Sequence, residues 1–324
     1  MLIATNPTII GVPGLDSSVH WVSHADNPII TVGAGGSWED IWVHPYCVVD
    51  NGSGTLYMYY GGAGVWDPEQ VGLATSTDGI TWSKYGSNPI FSPGTGGQWD
   101  DYKVKDFHVI KDGSNWKAWY AAQRNVSPLN LKVGYATSSD GISWTRYGSN
   151  PVLSLGAGGE WDDEDVSVSD VWLEDSTYYM LYSGIGDEST NNSRKIGLAT
   201  SSDGIAWVKS GSNPIFEGIA STWEDGVLDV DGVKIDGIYY MFYQGNTSDQ
   251  IYSAIGSATS TDLINWTCHS GNPFPRGSNG TWDDQWHEAP FLYQLNGEWY
   301  MYYMGAPDET SSTPRQIGVK TFIP

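Results

Sequence analysis

Residues 285–305 read QWHEAPFLYQLNGEWYMYYMG, and the two halves of this stretch behave differently within the chain. GEWYMYYMG has near-copies in LYMYYGG, WKAWYAA, YYMLYSG and YYMFYQG, whereas HEAP occurs nowhere else. The copies belong to a longer unit. Asn-Pro recurs at Asn27, Asn88, Asn150, Asn213 and Asn272, at spacings of 61, 62, 63 and 59 residues. Each is followed by a Gly/Ser-rich loop and a W-[ED]-D motif ending at Asp40, Asp101, Asp163, Asp225 or Asp284. The aromatic segment comes next, then VGLATSTDG or a relative, then ITWSKYGS or a relative. Four strand-like segments per unit, repeated five times, predict an all-β, five-bladed β-propeller with four antiparallel strands per blade.

The two ends of the chain fit that prediction. The last copy stops after its third strand, QIGVKTFIP, while SSVHWVSHADNP near the start matches the fourth-strand pattern GITWSKYGSNP. An N-terminal strand within 17–26 is therefore expected to complete blade 5 and close the ring, which removes the edges an open sheet would expose. The expected blades are 27–87, 88–149, 150–212, 213–271 and 272–324 plus that strand, forming one domain over 1–324.

Composition agrees and excludes several function classes. The chain has 17 Trp, 20 Tyr and 40 Gly in 324 residues, which favours aromatic strands joined by glycine-rich turns. A net charge of -23 argues against nucleic acid or an anionic membrane surface as partner. Cys47 and Cys268 sit in distant repeats, so two free thiols are expected rather than a disulfide or a zinc site. MLIATNPTIIGVPGLD lacks the charged and apolar regions of a leader, and no long apolar run occurs. A soluble, monomeric protein is expected, extracellular in preference to cytoplasmic, with carbohydrate as its partner and no required cofactor.

Features present in several repeats read as scaffold. S-x-D-G-x-x-W, at Ser76, Ser138 and Ser201, is an Asp-Gly hairpin between the third and fourth strands, and resembles the Asp-box of sialidases shortened by one residue. The W-x-D aspartates are expected to satisfy loop backbone donors, although a ring of carboxylates could hold a structural calcium ion.

Function should lie where the repeats disagree. Residues after W-x-D and at the end of the second strand, such as Gln244, should face one channel mouth. Four positions past the motif stand His44, Lys105, Ser167, Asp229 and Glu288. Nearby lie Trp42, Lys103, Asp106, His108, Asp165, Asp170, Asp231, Trp286 and His287. Converging carboxylates suit glycosidic bond cleavage, in which one carboxyl of raised pKa protonates the leaving oxygen and a second activates water or attacks the sugar. Trp42 and Trp286 could stack on sugar rings, and His44, His108 and His287 read as hydroxyl-binding groups rather than metal ligands.

HEAPFLYQLNGEWYMYYMG resembles the E-[GAS]-P motif that opens an inner strand in glycoside hydrolase family 43, with relatives in families 32, 68, 117 and 130. That resemblance implies a glycosidase acting on an oligo- or polysaccharide, plausibly containing arabinose or another furanose. It casts Glu288 as general acid, with Asp165 or Asp170, Asp229 or Asp231, and Asp106 as candidates for its partner carboxylates; Asp106, Asp165 and Asp229 are the preferred partners, and Asp170 and Asp231 are read as substrate-binding acids. A non-catalytic, lectin-like propeller is one alternative. A phosphorylase of the family 130 type is another, since Lys103, Lys105 and Arg124 all lie in the second repeat and could bind phosphate or a uronate.

Overall fold

The computed structural model describes residues 14–64, 68–186, 194–247, 252–307 and 313–324. The N-terminal stretch MLIATNPTIIGVPGLD, which lacks the pattern of a leader, falls mostly outside them. Among the described residues the secondary structure is entirely strand apart from one short 3₁₀ turn at Ser18–His20. Repeat 1 contains Trp42–Asp50, Leu56–Ala63, Gln70–Ser76 and Ser83–Lys84, paired antiparallel in that order. Repeats 2 and 3 begin at Lys103–Asp112 and Asp165–Glu174 and form four-stranded sheets of the same order. Repeat 4 (from Gly226–Ile235) and repeat 5 (from Trp286–Leu295) join into one eight-stranded sheet through a single parallel bridge, Ser253 to Trp286. The outermost strand of repeat 5 is Trp21–Ser23, with Trp21 opposite Phe322.

The recurring sequence marks have concrete tasks. In Asn150, Oδ1 accepts the Tyr135 N–H at 2.8 Å while Nδ2 donates to the Tyr135 carbonyl and to Tyr120 Oη. Asn88, Asn213 and Asn272 do the same in their own repeats, and Asn27 grips Val319. One amide thus ties the outer segment to the third strand and, in four repeats, to a core tyrosine. The Trp of each W-x-D lies against that same tyrosine, as Trp223 does on Tyr243 at 5.9 Å and 17°. Gly256 is required beneath them, because a Cβ there would stand 2.6 Å from the Tyr243 ring.

In the hairpins, Asp78 Oδ1 accepts the N–H groups of Ile80 and Thr81, with Asp140, Asp203 and Asp262 doing likewise. The W-x-D aspartates also satisfy backbone: Asp40, Asp101, Asp163 and Asp284 each accept a glycine N–H at 2.5–2.6 Å, and Asp225 accepts that of Ser221.

The first strands of successive repeats touch in order, and that of repeat 5 touches that of repeat 1. A backbone latch recurs between them. The residue leading into each third strand offers its carbonyl to the next repeat's first strand: Glu69 to Val104, Leu131 to Val166, Arg194 to Val227 and, across the chain ends, Arg315 to Val43. The Ser253–Trp286 bridge occupies the corresponding place between repeats 4 and 5. Beneath this level, buried side chains reach from one first strand to the next. Cys47 Sγ meets the Phe107 carbonyl, His108 approaches Asp170 at 3.4 Å, Asp170 accepts the Gly232 N–H and Asp231 that of Leu292.

Candidate active site

The first strands share one irregularity, a bulge in the pairing with the second strand: Lys105 to His108, Val168 to Asp170, Leu228 to Asp231, Glu288 to Phe291 and Pro45 to Cys47. A bulge bends the strand and re-aims one side chain, so strict alternation fails there. In repeats 2, 4 and 5 the bulged residue has positive φ: 49° for Asp106, 44° for Asp229 and 49° for Ala289. Aspartate tolerates this left-handed region better than branched residues. Asp106 and Asp229 therefore occupy equivalent positions, and both line a pocket at the meeting point of the repeats. His44, Tyr46, His108, Ser169, Asp231 and the Ala289-Pro290 wall also line it.

This register corrects the alignment by counting. In four repeats the first strand begins four residues after the motif tryptophan, but in repeat 4 it begins three after Trp223, at Gly226. The structural counterpart of His44, Lys105, Ser167 and Glu288 is Leu228, opposite Gln244, and Asp229 lies one place further on.

The charges around the pocket are tightly interleaved. Ser167 Oγ donates to Asp106 Oδ2, and Lys105 Nζ stands 3.3 Å from the same oxygen. Burial, and then the charge of Asp106, push the Asp229 carboxyl above the ordinary aspartate range against the opposing pull of Lys105. Glu288 is buried, accepts Ser253 Oγ at 2.7 Å and is also raised, by burial, while Arg315 pulls the other way. Lys105 remains firmly protonated: burial opposes the charge, but Asp106, Glu69 and Asp229 outweigh it. Burial and then Lys105 lower Lys103. Arg194 bonds Asp165 Oδ2 at 2.9 Å, and the Arg315 guanidinium lies 3.9 Å from the Trp286 ring centroid. Trp42 stands edge-on to His44 at 4.9 Å. Carboxyls able to hold a proton thus sit beside fixed cations.

Several expected site residues have other duties. Asp165 accepts the Leu131 N–H at 2.6 Å as well as Arg194, so both of its oxygens brace the rim. Asp170 is 0% exposed and braces Gly232, and Asp231, although at the pocket edge, accepts Leu292 N–H. His287 points to the opposite face of its strand, fully buried, with Nε2 3.2 Å from Asp283 and its ring against Tyr303. Gln244 accepts the Ala289 N–H and so holds the repeat 5 bulge. Arg124 is exposed, and the carboxylate it acts on is that of Asp101. Among the described residues no group of three or more His, Cys, Asp or Glu side chains is spaced to hold a metal ion, and no helix is long and apolar enough to cross a membrane.

Counting from W-x-D missed the residues that lead into the third strands. They are Glu69, Leu131, Arg194, Ser253 and Arg315, each three before the glycine of [VI]-G-x-[AK]-T or its near-variant. Aligning on that glycine would have exposed them, because four of the five are polar and no two neighbours match in charge. Tyr46, which donates to Glu69 Oε1 at 2.7 Å, was missed with them.

With this geometry in view, comparison with known proteins is informative. Residues 116–312 match the glycoside hydrolase family 130 description, β-1,4-mannooligosaccharide phosphorylase. A 1,2-β-oligomannan phosphorylase of Thermoanaerobacter sp. (strain X514) is 27% identical over 239 residues, 71% of this chain and 73% of the relative. A solved structure concerning family 130 mannoside phosphorylases and the glycoside hydrolases among them, which target β-1,2 mannosidic linkages in Candida mannan, superposes with TM-score 0.66 at 17% identity, covering 94% of each chain. A thermostable family 43 glycoside hydrolase has the same fold, with TM-score 0.66 at 17% identity, covering 90% of this chain and 92% of that one. The sequence resemblance had put family 43 first and family 130 among its relatives; the match to more than half of the chain reverses that order, and the protein belongs to glycoside hydrolase family 130.

Proposed function

We propose that this protein cleaves β-mannosidic bonds in oligosaccharides by phosphorolysis. The observation that carries this reading is the concentration of cations at the mouth. Lys103, Lys105, Arg194 and Arg315 all act on the carboxylates around the pocket, in a chain with only 15 Lys and Arg against 38 acids. Water as nucleophile carries no charge for such a group to offset, whereas an incoming phosphate dianion does. The mannoside activities of the relative matched over most of its length support the same substrate class.

In this mechanism Asp229, whose carboxyl is raised by burial and then by the charge of Asp106, holds the proton. That proton passes to the glycosidic oxygen as the C1–O bond breaks, and a phosphate oxygen forms the new bond to C1. The products are mannose 1-phosphate and a shortened saccharide. Glu288, beside Ser253 and Arg315, serves the bound sugar or phosphate instead of being the sole acid. Trp42 and Trp286 at the rim offer faces for the saccharide.

The same reading takes the five repeats as blades of one closed ring over residues 1–324. The latch from Arg315 to Val43 supports closure, and Trp21–Ser23 supports completion of the last blade. Incubation with β-1,2- and β-1,4-mannooligosaccharides, with and without inorganic phosphate, tests the chemistry. Mannose 1-phosphate formed only when phosphate is present is the expected result. Equal release of mannose without phosphate would replace phosphorolysis by hydrolysis, and binding without turnover would leave a lectin.

A further inference from the structure

Two of the five residues leading into third strands are cations, Arg194 and Arg315, and one is an acid, Glu69. Glu69 is held with unusual care for a carboxylate at a sugar pocket. It is buried; Tyr46 Oη donates to Oε1 at 2.7 Å, and His44 Nε2 lies 3.2 Å from the same oxygen. The cradle is tight: a Cβ on Gly61 would stand 2.2 Å from Tyr46 Oη and 2.5 Å from the His44 ring. Burial alone would favour the neutral form, but Lys105 first, then the His44 contact and Lys103, hold the group below the usual carboxylate range. The Glu69 backbone carbonyl accepts the Val104 N–H at 3.1 Å, between Lys103 and Lys105, so Glu69 is an anion set against the two lysines of repeat 2. Both neighbours that fix it, His44 and Tyr46, line the pocket that contains Asp106 and Asp229.

We infer that Glu69 is an internal competitor for the cation cluster and sets how tightly the mouth holds an external phosphate. Without a bound anion, Lys103 and Lys105 would otherwise crowd two positive charges beside one another in a partly buried site, and Glu69 offsets that repulsion. Once phosphate binds, the same negative charge opposes it. The affinity for the anion is then the balance of two cations against one fixed carboxylate, while the saccharide, which is uncharged, is indifferent to it. Asp229 cannot serve this purpose, since in the proposed reaction it gives up its proton. This inference rests on the phosphorolytic reading for its consequence in turnover, but its prediction for phosphate binding stands without it.

The test uses Glu69→Gln, which keeps an acceptor for Tyr46 and His44 and removes the charge, and Glu69→Ser, which installs the residue found at the same position in repeat 4. Inorganic phosphate is titrated calorimetrically into the wild type and both variants at low and high salt. KM for phosphate and for mannooligosaccharide are measured separately. Loss of one like charge at this range should tighten phosphate binding about tenfold at low ionic strength, with the gain shrinking as salt rises. KM for the saccharide should stay within about twofold, since a neutral ligand does not feel the charge. A split of this kind is not produced by a merely structural role, which would move both constants and the melting temperature together. Unchanged or weaker phosphate binding in a folded variant overturns the inference. If the wild type turns over without phosphate, phosphorolysis fails; phosphate binding gained in Glu69→Gln would still support the role of Glu69, and no gain would end it.

Discussion

The outer frame and the pocket mouth of this protein are built by the same repeat under opposite rules. In the frame, one side chain performs one task five times over: the Asn amide clamps the third strand at Asn27, Asn88, Asn150, Asn213 and Asn272. At the mouth a single backbone task recurs, the latch from third strand to next first strand, while the side chains at that position are Glu69, Leu131, Arg194, Ser253 and Arg315. Where the backbone alone does the structural work, side chains are released from it. Five-fold architecture and one-fold chemistry are compatible for that reason.

The largest expected effect breaks the mouth and spares the frame. Asp106→Asn and Asp229→Asn should each lower kcat by about 10²–10⁴, and the double variant should be little worse than either, because Asp229 as proton donor and Asp106 as the charge beside it act as a unit. Steady-state kinetics on a mannooligosaccharide measure this. Losses that multiply in the double variant would separate the two residues, and a near-complete loss in Glu288→Gln alone would move the acid to Glu288. Next in size is Lys103→Met. It removes one cation from the phosphate side, and a charge-assisted contact of about 1.5–3 kcal/mol corresponds to a rise of about 10- to 150-fold in KM for phosphate. An equal rise in the saccharide KM would show a structural cause.

How far the sequence carried depended on the same division. The repeat length, the strand order within each repeat and the pairing of the N-terminal segment with the last strand were legible, since each rests on residues whose contacts recur, and the two free thiols followed from their placement in distant repeats. The carboxylate cluster was legible as a group. Its internal register was not, because the missing residue between Trp223 and Gly226 is invisible to counting, and a bulge at positive φ places Asp229 with Asp106 and not with Glu288. His287 and Asp170 looked functional for being polar at variable positions. Both are buried partners of neighbouring groups, a distinction that composition along one strand cannot express.

His287 therefore gives a prediction that separates frame from mouth within three residues of chain. Burial lowers its pKa to about 4, and His108 behaves alike. Unfolded histidine titrates near 6.5, so between about pH 6.5 and 4 the unfolded chain binds more protons. Stability is then full above this window and lost as the pH falls through it, by up to a few kcal/mol per histidine. In His287→Gln the fall in melting temperature from pH 7 to 4.5 should be shallower than in the wild type, with saccharide KM within about threefold at pH 7. An unchanged acid slope would show that His287 is not what the unfolded state protonates, and a large KM change would return it to the binding site.

The smallest effect repairs the frame where it departs from its own rule. Lys84, Arg146 and Lys209 pair with the W-x-D acids Glu39, Asp100 and Asp162 at 2.6–2.8 Å, and each lies over the tyrosine of its repeat. Repeat 4 has Cys268 at that register, opposite Ala258 as Lys84 is opposite Ala74, and Glu224 is left with the Tyr243 hydroxyl. Cys268→Lys should supply the absent cation. The site is partly solvent-exposed, so the gain should be only about 0.5–1 kcal/mol and should diminish with salt. Thermal unfolding of Cys268→Lys, Glu224→Gln and the double variant isolates the pair, and a coupling of zero would mean that the cation of the other repeats acts through its ring contact alone. Activity should not respond, since no part of this ion pair reaches the mouth.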